Sequence, residues 1–200
     1  MLNLNNVLQL STTQTRIINS FGTLTADHWD RNKTRLKDAI RDSLKAMQNK
    51  RCVYCGCRVW GTGDVEHIAH KAKYGQFVFT PENLAYACKN CNQTYKGQTD
   101  VVTHIDANYK LCQFAIVHPY LDDVDYFFDT QRPIIQIRDN LSIDEEIKAK
   151  TTQALFHWED PEVTEQRAQF AMCDQYAVEH NTSVDQVLYE NALTFNPGIA

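Results

Sequence analysis

Cys52-Val-Tyr-Cys55 and Cys88-Lys-Asn-Cys91 are two Cys-x-x-Cys turns separated by 32 residues, and they decide the predicted fold. Each turn aims two thiolates at one point, so two turns complete a closed tetrahedral site of the kind that zinc occupies. A closed site leaves no coordination position for a substrate. We therefore expect a structural zinc ion, held by Cys52, Cys55, Cys88 and Cys91.

The alternative for these cysteines is redox chemistry of the thioredoxin kind. That chemistry needs one Cys-x-x-Cys turn in a βαβ setting, and the presence of two turns argues against it. A reducing cytosol also favours metal binding over disulfide bonds. The remaining cysteines, Cys57, Cys112 and Cys173, are expected to be small buried apolar side chains.

The residues between and after the two turns predict the order strand, loop, strand, helix. Asp64-Val-Glu-His-Ile68 alternates in polarity like a short strand. A loop then leads to a second extended segment, Asn83-Leu-Ala-Tyr-Ala-Cys88. The chain after Cys91 is expected to be helical and to end near Gly97, because glycine favours helix ends. The separation of the cysteine turns leaves room for this hairpin.

Three stretches together resemble the zinc-containing HNH nucleases of the ββα-metal type. They are Asp64-Val-Glu-His-Ile68, Pro81-Glu-Asn-Leu84 and Ala87-Cys-Lys-Asn-Cys-Asn-Gln-Thr-Tyr-Lys-Gly97. The family pattern has an acid before His-Ile, an Asn-Leu pair, and a Cys-x-x-Cys turn followed by His or Asn and then Lys. The resemblance covers Cys52 to Gly97. It implies an α+β fold with a ββα-metal HNH core and four-cysteine zinc knuckles, flanked by an N-terminal helix and a mainly helical C-terminal extension.

The resemblance also implies a role for each residue in phosphodiester hydrolysis. His67 would be the general base, because a neutral imidazole with an ordinary pKa of about 6.5 can take a proton from water. Glu66 and Asn92 would ligate one hard divalent cation, Mg²⁺ or Mn²⁺. Asn83 would fix the loop and orient the base. Lys96 would contact a phosphate.

Two positions depart from the family pattern, and the strand geometry adds a constraint. Glu66 stands where aspartate is common, which lengthens the ligand arm. His70 stands where proline is common, and either a loop role or a second metal or phosphate contact fits it. Adjacent strand residues point to opposite faces, so Glu66 and His67 can share a metal site only where the strand end is irregular, as in the family.

The charges are distributed unevenly along the chain. Residues 31–110 contain 14 Lys/Arg and 7 Asp/Glu, a net charge of +7, whereas residues 111–200 contain 5 and 16, a net charge of −11. The basic region can neutralise phosphates, so we expect Lys71 and Lys73 to contact nucleic acid together with Lys96. The acidic region would repel nucleic acid, so it favours contact with a protein over contact with nucleic acid. An ordinary solvated surface is the alternative for this region.

These patterns divide the chain into an N-terminal segment (1–30), an HNH nuclease core with a basic leading helix (31–110) and an acidic, mainly helical region (111–200). The leading helix is predicted from Arg31 to about Asn49. In the last region, Pro133–Ile137 is predicted as a strand and Ser142 as the first residue of a capping box. Helices are predicted from there to Phe156, and then over 163–179 and 185–193. His118, His157 and His180 have no neighbouring partner residues in the sequence, which predicts structural or surface roles.

The functional expectation is an endonuclease that favours DNA. The layout resembles the small HNH proteins of bacterial anti-phage systems such as Septu and retron-associated modules, which implies antiviral defence beside an ATPase protein partner. The alternative is a zinc-ribbon module that binds nucleic acid or protein without catalysis. Such a module needs the four cysteines but not Glu66, His67 and Asn92, so those three residues distinguish the two hypotheses.

The bulk composition sets the expected location. Hydrophobic residues make up 43% and charged residues 22% of the chain, which is typical of a folded globular protein. The longest apolar run is much shorter than the roughly 20 residues needed to cross a bilayer. Residues 1–10 have no positive charge ahead of an apolar stretch, so we expect no secretory signal and a cytoplasmic protein without membrane contact.

Overall fold

A β-hairpin followed by a short helix forms the centre of the computed structural model, which describes residues 1–31, 35–59, 61, 63–130 and 133–194. Strand β1 (Asp64–His67) pairs antiparallel with β2 (Leu84–Ala87), with Asp64 opposite Ala87 and His67 opposite Leu84. A π-helix (Asn90–Lys96) follows and ends at Gly97. The predicted order of strand, loop, strand and helix is confirmed, as is the α+β class.

The basic leading helix packs against this hairpin. Helix α3 (Arg35–Met47) buries Leu36, Ile40 and Leu44, which recur at the spacing of one helical face. The predicted helix starts at Arg31. The structure describes helix up to Arg31 and again from Arg35, and residues 32–34 lie outside the described part of the chain.

The end of α3 is fixed by backbone geometry and by one buried amide. Asn49 and Lys50 have φ values of 48° and 58°, in the left-handed region that ends helices. The Gln48 side chain accepts a hydrogen bond from the backbone N–H of Tyr86 and donates one to the Tyr86 carbonyl, both at 2.7 Å. The helix is therefore tied directly to β2.

The N-terminal segment forms two helices, although its sequence shows no clear period. Helix α1 (Thr12–Asn19) starts with a capping box formed by Ser11 and Gln14. Helix α2 (Ala26–Arg31) buries Trp29. The chain before α1 has no regular secondary structure, and the backbone N–H of Leu2 donates to the Val53 carbonyl at 2.8 Å. The segment thus covers the core instead of extending from it.

Two further hairpins follow the π-helix, and among the described residues the strands form three two-stranded sheets. Strand β3 (Val102–His104) pairs with β4 (Gln113–Phe114). After helix α4 (Val124–Phe127), β5 (Phe128–Asp129) pairs with β6 (Gln136–Ile137). The predicted strand over Pro133–Ile137 is shorter than expected, because β5 offers only two residues for pairing.

Three helices complete the chain close to their predicted positions. Helix α5 (Ile143–Leu155) begins with the predicted capping box of Ser142 and Glu145. Helices α6 (Pro161–Glu179) and α7 (Val184–Thr194) follow. In the described ranges, none of the helices combines the length and the apolar character that a membrane crossing requires.

The acidic C-terminal region contacts the basic core of the same chain. Asp185 on α7 forms ion pairs with Lys50, at 2.7 Å, and with Arg58. Asp174 on α6 forms an ion pair with Arg51. The opposite net charges of the two regions therefore meet, in part, within one molecule, next to the first cysteine turn.

The C-terminal region also shares its apolar core with the hairpin. The rings of Tyr54 and Phe156 stack with their centroids 3.8 Å apart. Phe156 also stacks on Trp158, which packs edge-on against Phe128. Phe156 is fully buried, so the segment after α5 is part of the same core as the first cysteine turn.

We predict that Phe156→Ala lowers the free energy of unfolding by about 3–5 kcal/mol, because it removes a fully buried ring and leaves a cavity. Urea unfolding followed by circular dichroism measures the change. Ile143→Ala is the control, since Ile143 is 78% exposed and its truncation should change stability by less than about 0.5 kcal/mol. Equal effects of the two substitutions would contradict the shared core.

Candidate active site

The four cysteines of the two turns come together as predicted. The sulfur atoms of Cys52, Cys55, Cys88 and Cys91 all lie within 4.8 Å of one another. Sulfur atoms around a tetrahedral zinc ion are separated by about 3.8 Å, given Zn–S bonds of about 2.3 Å. Gly56 supports the first turn with a left-handed φ of 71°. The cluster therefore has the composition and spacing of a closed zinc site.

The charge state of this cluster depends on whether a metal ion is bound. Burial raises the pKa of the Cys52 thiol well above its usual range. Four thiolates at this spacing would repel one another without a compensating charge. Zinc supplies that charge, since it binds the thiolate form. The donor set of this structure thus fits a structural zinc ion.

His67 ends β1 with its imidazole buried against the N-terminal segment. The ring is 6% exposed and packs edge-on against Trp29, with centroids 4.6 Å apart. Its Nε2 lies 3.0 Å from the Val78 carbonyl oxygen. A carbonyl oxygen can only accept, so Nε2 carries the hydrogen and the lone pair of the neutral ring is on Nδ1.

Burial is also the main influence on the charge of His67. It lowers the pKa of the imidazole to about 3, and the nearby Lys71 and Lys96 act in the same direction. His67 is therefore neutral near pH 7, with Nδ1 able to accept a proton. With the ordinary pKa of an imidazole, a fraction of the His67 side chains would be charged near pH 7.

Glu66 lies on the opposite face of β1 in a buried ion pair. Its carboxylate is 2.8 Å from the Lys96 ammonium and accepts a hydrogen bond of 3.0 Å from the Tyr54 hydroxyl. Desolvation raises the pKa of Glu66, and Lys96 opposes the shift. Lys96 also donates to the His67 carbonyl oxygen at 3.1 Å.

The burial of Lys96 corrects its prediction as a phosphate contact. The side chain of Lys96 is only 1% exposed, because the π-helix turns it inward onto β1. Its ammonium is used by Glu66 and the backbone of His67. In this structure Lys96 is a buried counter-ion and not part of a nucleic-acid surface.

Asn92 lies on the π-helix, half-buried, beside a carboxylate that was not singled out from the sequence. Its amide nitrogen lies 3.4 Å from Oδ2 of Asp64, and the Gln93 amide donates to the same oxygen at 2.7 Å. Asp64 and Glu66 are two residues apart on β1, so they share the face that meets the π-helix. The sequence could have indicated Asp64, because an acid two positions before Glu66 in a strand lies on the same face.

The predicted cation ligands Glu66 and Asn92 therefore have different partners in this structure. Glu66 is engaged by Lys96 and Tyr54, and Asn92 by Asp64. The side chains of Glu66 and His67 alternate across β1, as in a regular strand. Within the described ranges, the cysteine cluster is also the only group of three or more His, Cys, Asp or Glu residues spaced for a metal ion. The predicted catalytic residues thus lie in one hairpin-helix unit, but their side chains do not converge on one point.

Asn83, which was predicted to fix the loop and orient the base, lies in the core beside that loop. It is fully buried, and its Oδ1 accepts hydrogen bonds from the Ala69 backbone at 2.7 Å and the Tyr109 hydroxyl at 2.9 Å. Its Nδ2 donates to the carbonyls of Ala69 and Phe77. The amide thereby closes the loop between β1 and β2.

The loop lysines have acidic neighbours, and Lys71 is half-buried whereas Lys73 is exposed. Lys71 forms an ion pair with Asp30, and Lys73 pairs with Asp100, each at 2.5 Å. The side chain of Lys73 is 62% exposed. His70 is half-buried, and burial lowers its pKa. Contacts of Lys71 and Lys73 with nucleic acid stay a prediction.

Comparisons with known proteins agree with the geometry of this segment. Residues 52–98 match the family model described as HNH endonuclease. Protein ea31 of Escherichia phage lambda is 29% identical over 101 residues, covering 50% of this chain and 31% of ea31. Septu protein PtuB of Bacillus thuringiensis is 39% identical over 59 residues, covering 28% of this chain and 23% of PtuB. The match thus spans less than a third of either relative, and it confirms the HNH segment and the Septu likeness predicted from the sequence.

We predict that Cys88→Ser loses zinc and unfolds the hairpin and π-helix, because three thiolates and a hydroxyl no longer complete the site. Metal analysis and circular dichroism measure the two effects. The matched control is Cys173→Ser, since Cys173 lies on α6 outside the cluster. A folded Cys88→Ser protein with no zinc would refute the structural role of the ion.

We predict that Lys96→Met lowers the free energy of unfolding by about 3–5 kcal/mol, because it leaves the buried Glu66 carboxylate without a counter-charge. The double substitution Glu66→Gln with Lys96→Met should recover part of that loss. Urea unfolding of both proteins tests this pairing. Unchanged stability together with a weaker salt dependence of DNA binding would instead support the phosphate contact.

Proposed function

We propose that this protein is a metal-dependent endonuclease that hydrolyses phosphodiester bonds in nucleic acid, with DNA favoured over RNA. The observation that carries the proposal is the state of His67 within the segment that matches HNH endonucleases. The Val78 carbonyl fixes the hydrogen on Nε2, so the neutral ring offers Nδ1 as a base.

In this proposal His67 takes a proton from the attacking water. Burial keeps the imidazole neutral, so it is ready to act at neutral pH. A base with a pKa of about 3 is weak, and it gains strength as its ring approaches the negative phosphate that raises its proton affinity. Trp29 and the Val78 carbonyl hold the ring in one orientation during the transfer.

Mg²⁺ or Mn²⁺ would supply Lewis acidity toward the phosphate when bound. Asn92 and the acids of β1 fit such a cation, because amide and carboxylate oxygens are its preferred ligands. Glu66 is charge-balanced by Lys96, so its carboxylate becomes available only when that ion pair opens. Asp64 already lies next to Asn92.

Substrate binding would use the basic part of the chain. We assign Lys71 and Lys73, in the loop that follows His67, to phosphate contacts. Both now pair with aspartates near the surface, and surface pairs of this kind are worth little and exchange easily. The net charge of +7 over residues 31–110 supports a polyanionic substrate.

We further propose that the protein acts in the cytoplasm, in antiviral defence, together with an ATPase protein partner. The likeness to Septu protein PtuB supports this proposal. The exposed acidic groups that remain on the C-terminal helices suit a partner with a basic surface.

A second candidate function is a zinc module that binds nucleic acid or protein without catalysis. The buried Glu66–Lys96 ion pair favours it, because that pair stabilises the hairpin without any catalytic cation. The two candidates differ in what they require of His67.

We predict that His67→Gln lowers the rate of nicking of supercoiled plasmid in Mg²⁺ or Mn²⁺ by roughly 10²–10⁴-fold, since an amide cannot accept the proton. The glutamine amide can still donate to the Val78 carbonyl, so zinc content and melting temperature should stay near normal. His180→Gln at the end of α6 is the matched control. Equal cleavage by wild type and His67→Gln would favour the non-catalytic candidate.

A further inference from the structure

A line of buried hydrogen bonds leaves the HNH segment and passes through two residues beyond it. His118 is fully buried, and its Nδ1 lies 3.2 Å and 3.3 Å from the backbone nitrogens of Tyr120 and Leu121. Its Nε2 lies 3.0 Å from the Tyr109 hydroxyl. That hydroxyl is 2.9 Å from Oδ1 of Asn83. Residues outside the matched segment thus reach one of its predicted site residues.

The direction of every bond in this line is determined. Backbone N–H groups can only donate, so Nδ1 of His118 is the acceptor and Nε2 carries the hydrogen. Nε2–H then donates to the Tyr109 oxygen, which leaves the Tyr109 hydrogen for Asn83 Oδ1. Burial lowers the pKa of His118 to about 3 and keeps the ring in this neutral form.

The line continues from Asn83 into the loop that holds His67. The Asn83 amide donates to the Phe77 carbonyl at 3.0 Å, and the next carbonyl along the chain, that of Val78, accepts from His67 Nε2. Tyr109 meets this loop a second time, because its ring packs edge-on against Phe77 with centroids 5.0 Å apart. Tyr109 and His118 are thus connected by hydrogen bonds and ring packing to the backbone next to the Val78 carbonyl.

We propose that Tyr109 and His118 are positioning residues, which fix the orientation and the Nε2–H tautomer of His67 through Asn83 and the loop carbonyl of Val78. The proposal rests on the proposed nuclease function for its kinetic consequence. The alternative is that Tyr109 and His118 only satisfy each other's hydrogen-bonding groups in the core. In that case, changing either residue has no effect on the ring of His67.

The chain offers a matched pair of tyrosines that separates these accounts. Tyr109→Phe removes the hydroxyl that links His118 to Asn83. Tyr120→Phe also removes a hydroxyl that hydrogen-bonds within the core, to the Leu84 carbonyl at 2.8 Å, but this hydroxyl lies outside the line. Both substitutions keep the ring, so differences between them report on the connection and not on packing.

The experiment uses the whole 200-residue chain loaded with zinc. Side-chain ¹⁵N–¹H spectra assign the tautomer of each histidine, and plasmid cleavage gives kcat and KM. For Tyr109→Phe we expect a mixed His67 tautomer and a kcat lowered roughly tenfold to a hundredfold, as misplacement of a catalytic group produces, with KM and zinc content unchanged. Tyr120→Phe should match wild type in both measurements.

A second substitution carries the same test if Tyr109→Phe fails to fold. His118→Gln keeps an N–H donor for the Tyr109 hydroxyl and should retain more of kcat than His118→Leu, which has none. A wild-type His67 tautomer and kcat in Tyr109→Phe, or equal kcat values for the two His118 variants, overturn the proposal. If wild type cuts no nucleic acid, the proposed function fails, and the tautomer of His67 still decides the positioning role.

Discussion

Four sulfur atoms join two segments that are 32 residues apart in the chain, and the remaining contacts of the site depend on that junction. The strands of the hairpin contain four residues each, and a two-stranded hairpin of this size is marginal by itself. The π-helix has only seven residues, too few to be stable alone. The cysteine cluster brings the residues before β1 next to those that begin this helix. A zinc ion bound there would hold the helix against the face of β1 that carries Asp64 and Glu66.

That constraint explains why the polar side chains between helix and hairpin are so deeply buried. Once the π-helix is fixed on β1, Lys96 and Glu66 lose their water, and desolvation would be prohibitive for either charge alone. Their mutual ion pair and the Tyr54 hydroxyl compensate. Tyr54 in turn stacks on Phe156, so the C-terminal region contributes to the environment of Glu66 as well as shielding the first cysteine turn.

Features set by local chemistry could be predicted from the sequence, and features set by distant partners could not. The spacing of the cysteines was sufficient to predict their cluster, and Ser142 with Glu145 was sufficient to predict the start of α5, because both depend on a few neighbouring residues. The inward turn of Lys96 could not be predicted, since it depends on how a π-helix with a wider turn presents its side chains to β1. Trp29 was missed for a related reason: its contact with His67 comes from a segment without periodicity. The pairing of Asp185 with Lys50 and Arg58 joins residues more than 120 positions apart.

The segment that matches HNH endonucleases and the structural unit that supports it therefore have different boundaries. Residues 52–98 contain the cysteine cluster and His67, yet the ring of His67 is confined by Trp29 from the N-terminal segment. The loop behind that ring is held by Asn83, whose amide oxygen is shared with Tyr109 from beyond the segment. The loop between β1 and β2 connects strands of only four residues. With its own contacts alone, this loop would sample several conformations and would not keep the Val78 carbonyl directed at the His67 ring. Contacts from both flanks reduce that freedom, and so the division of the chain into separate N-terminal, nuclease and C-terminal regions describes its charge pattern better than its packing.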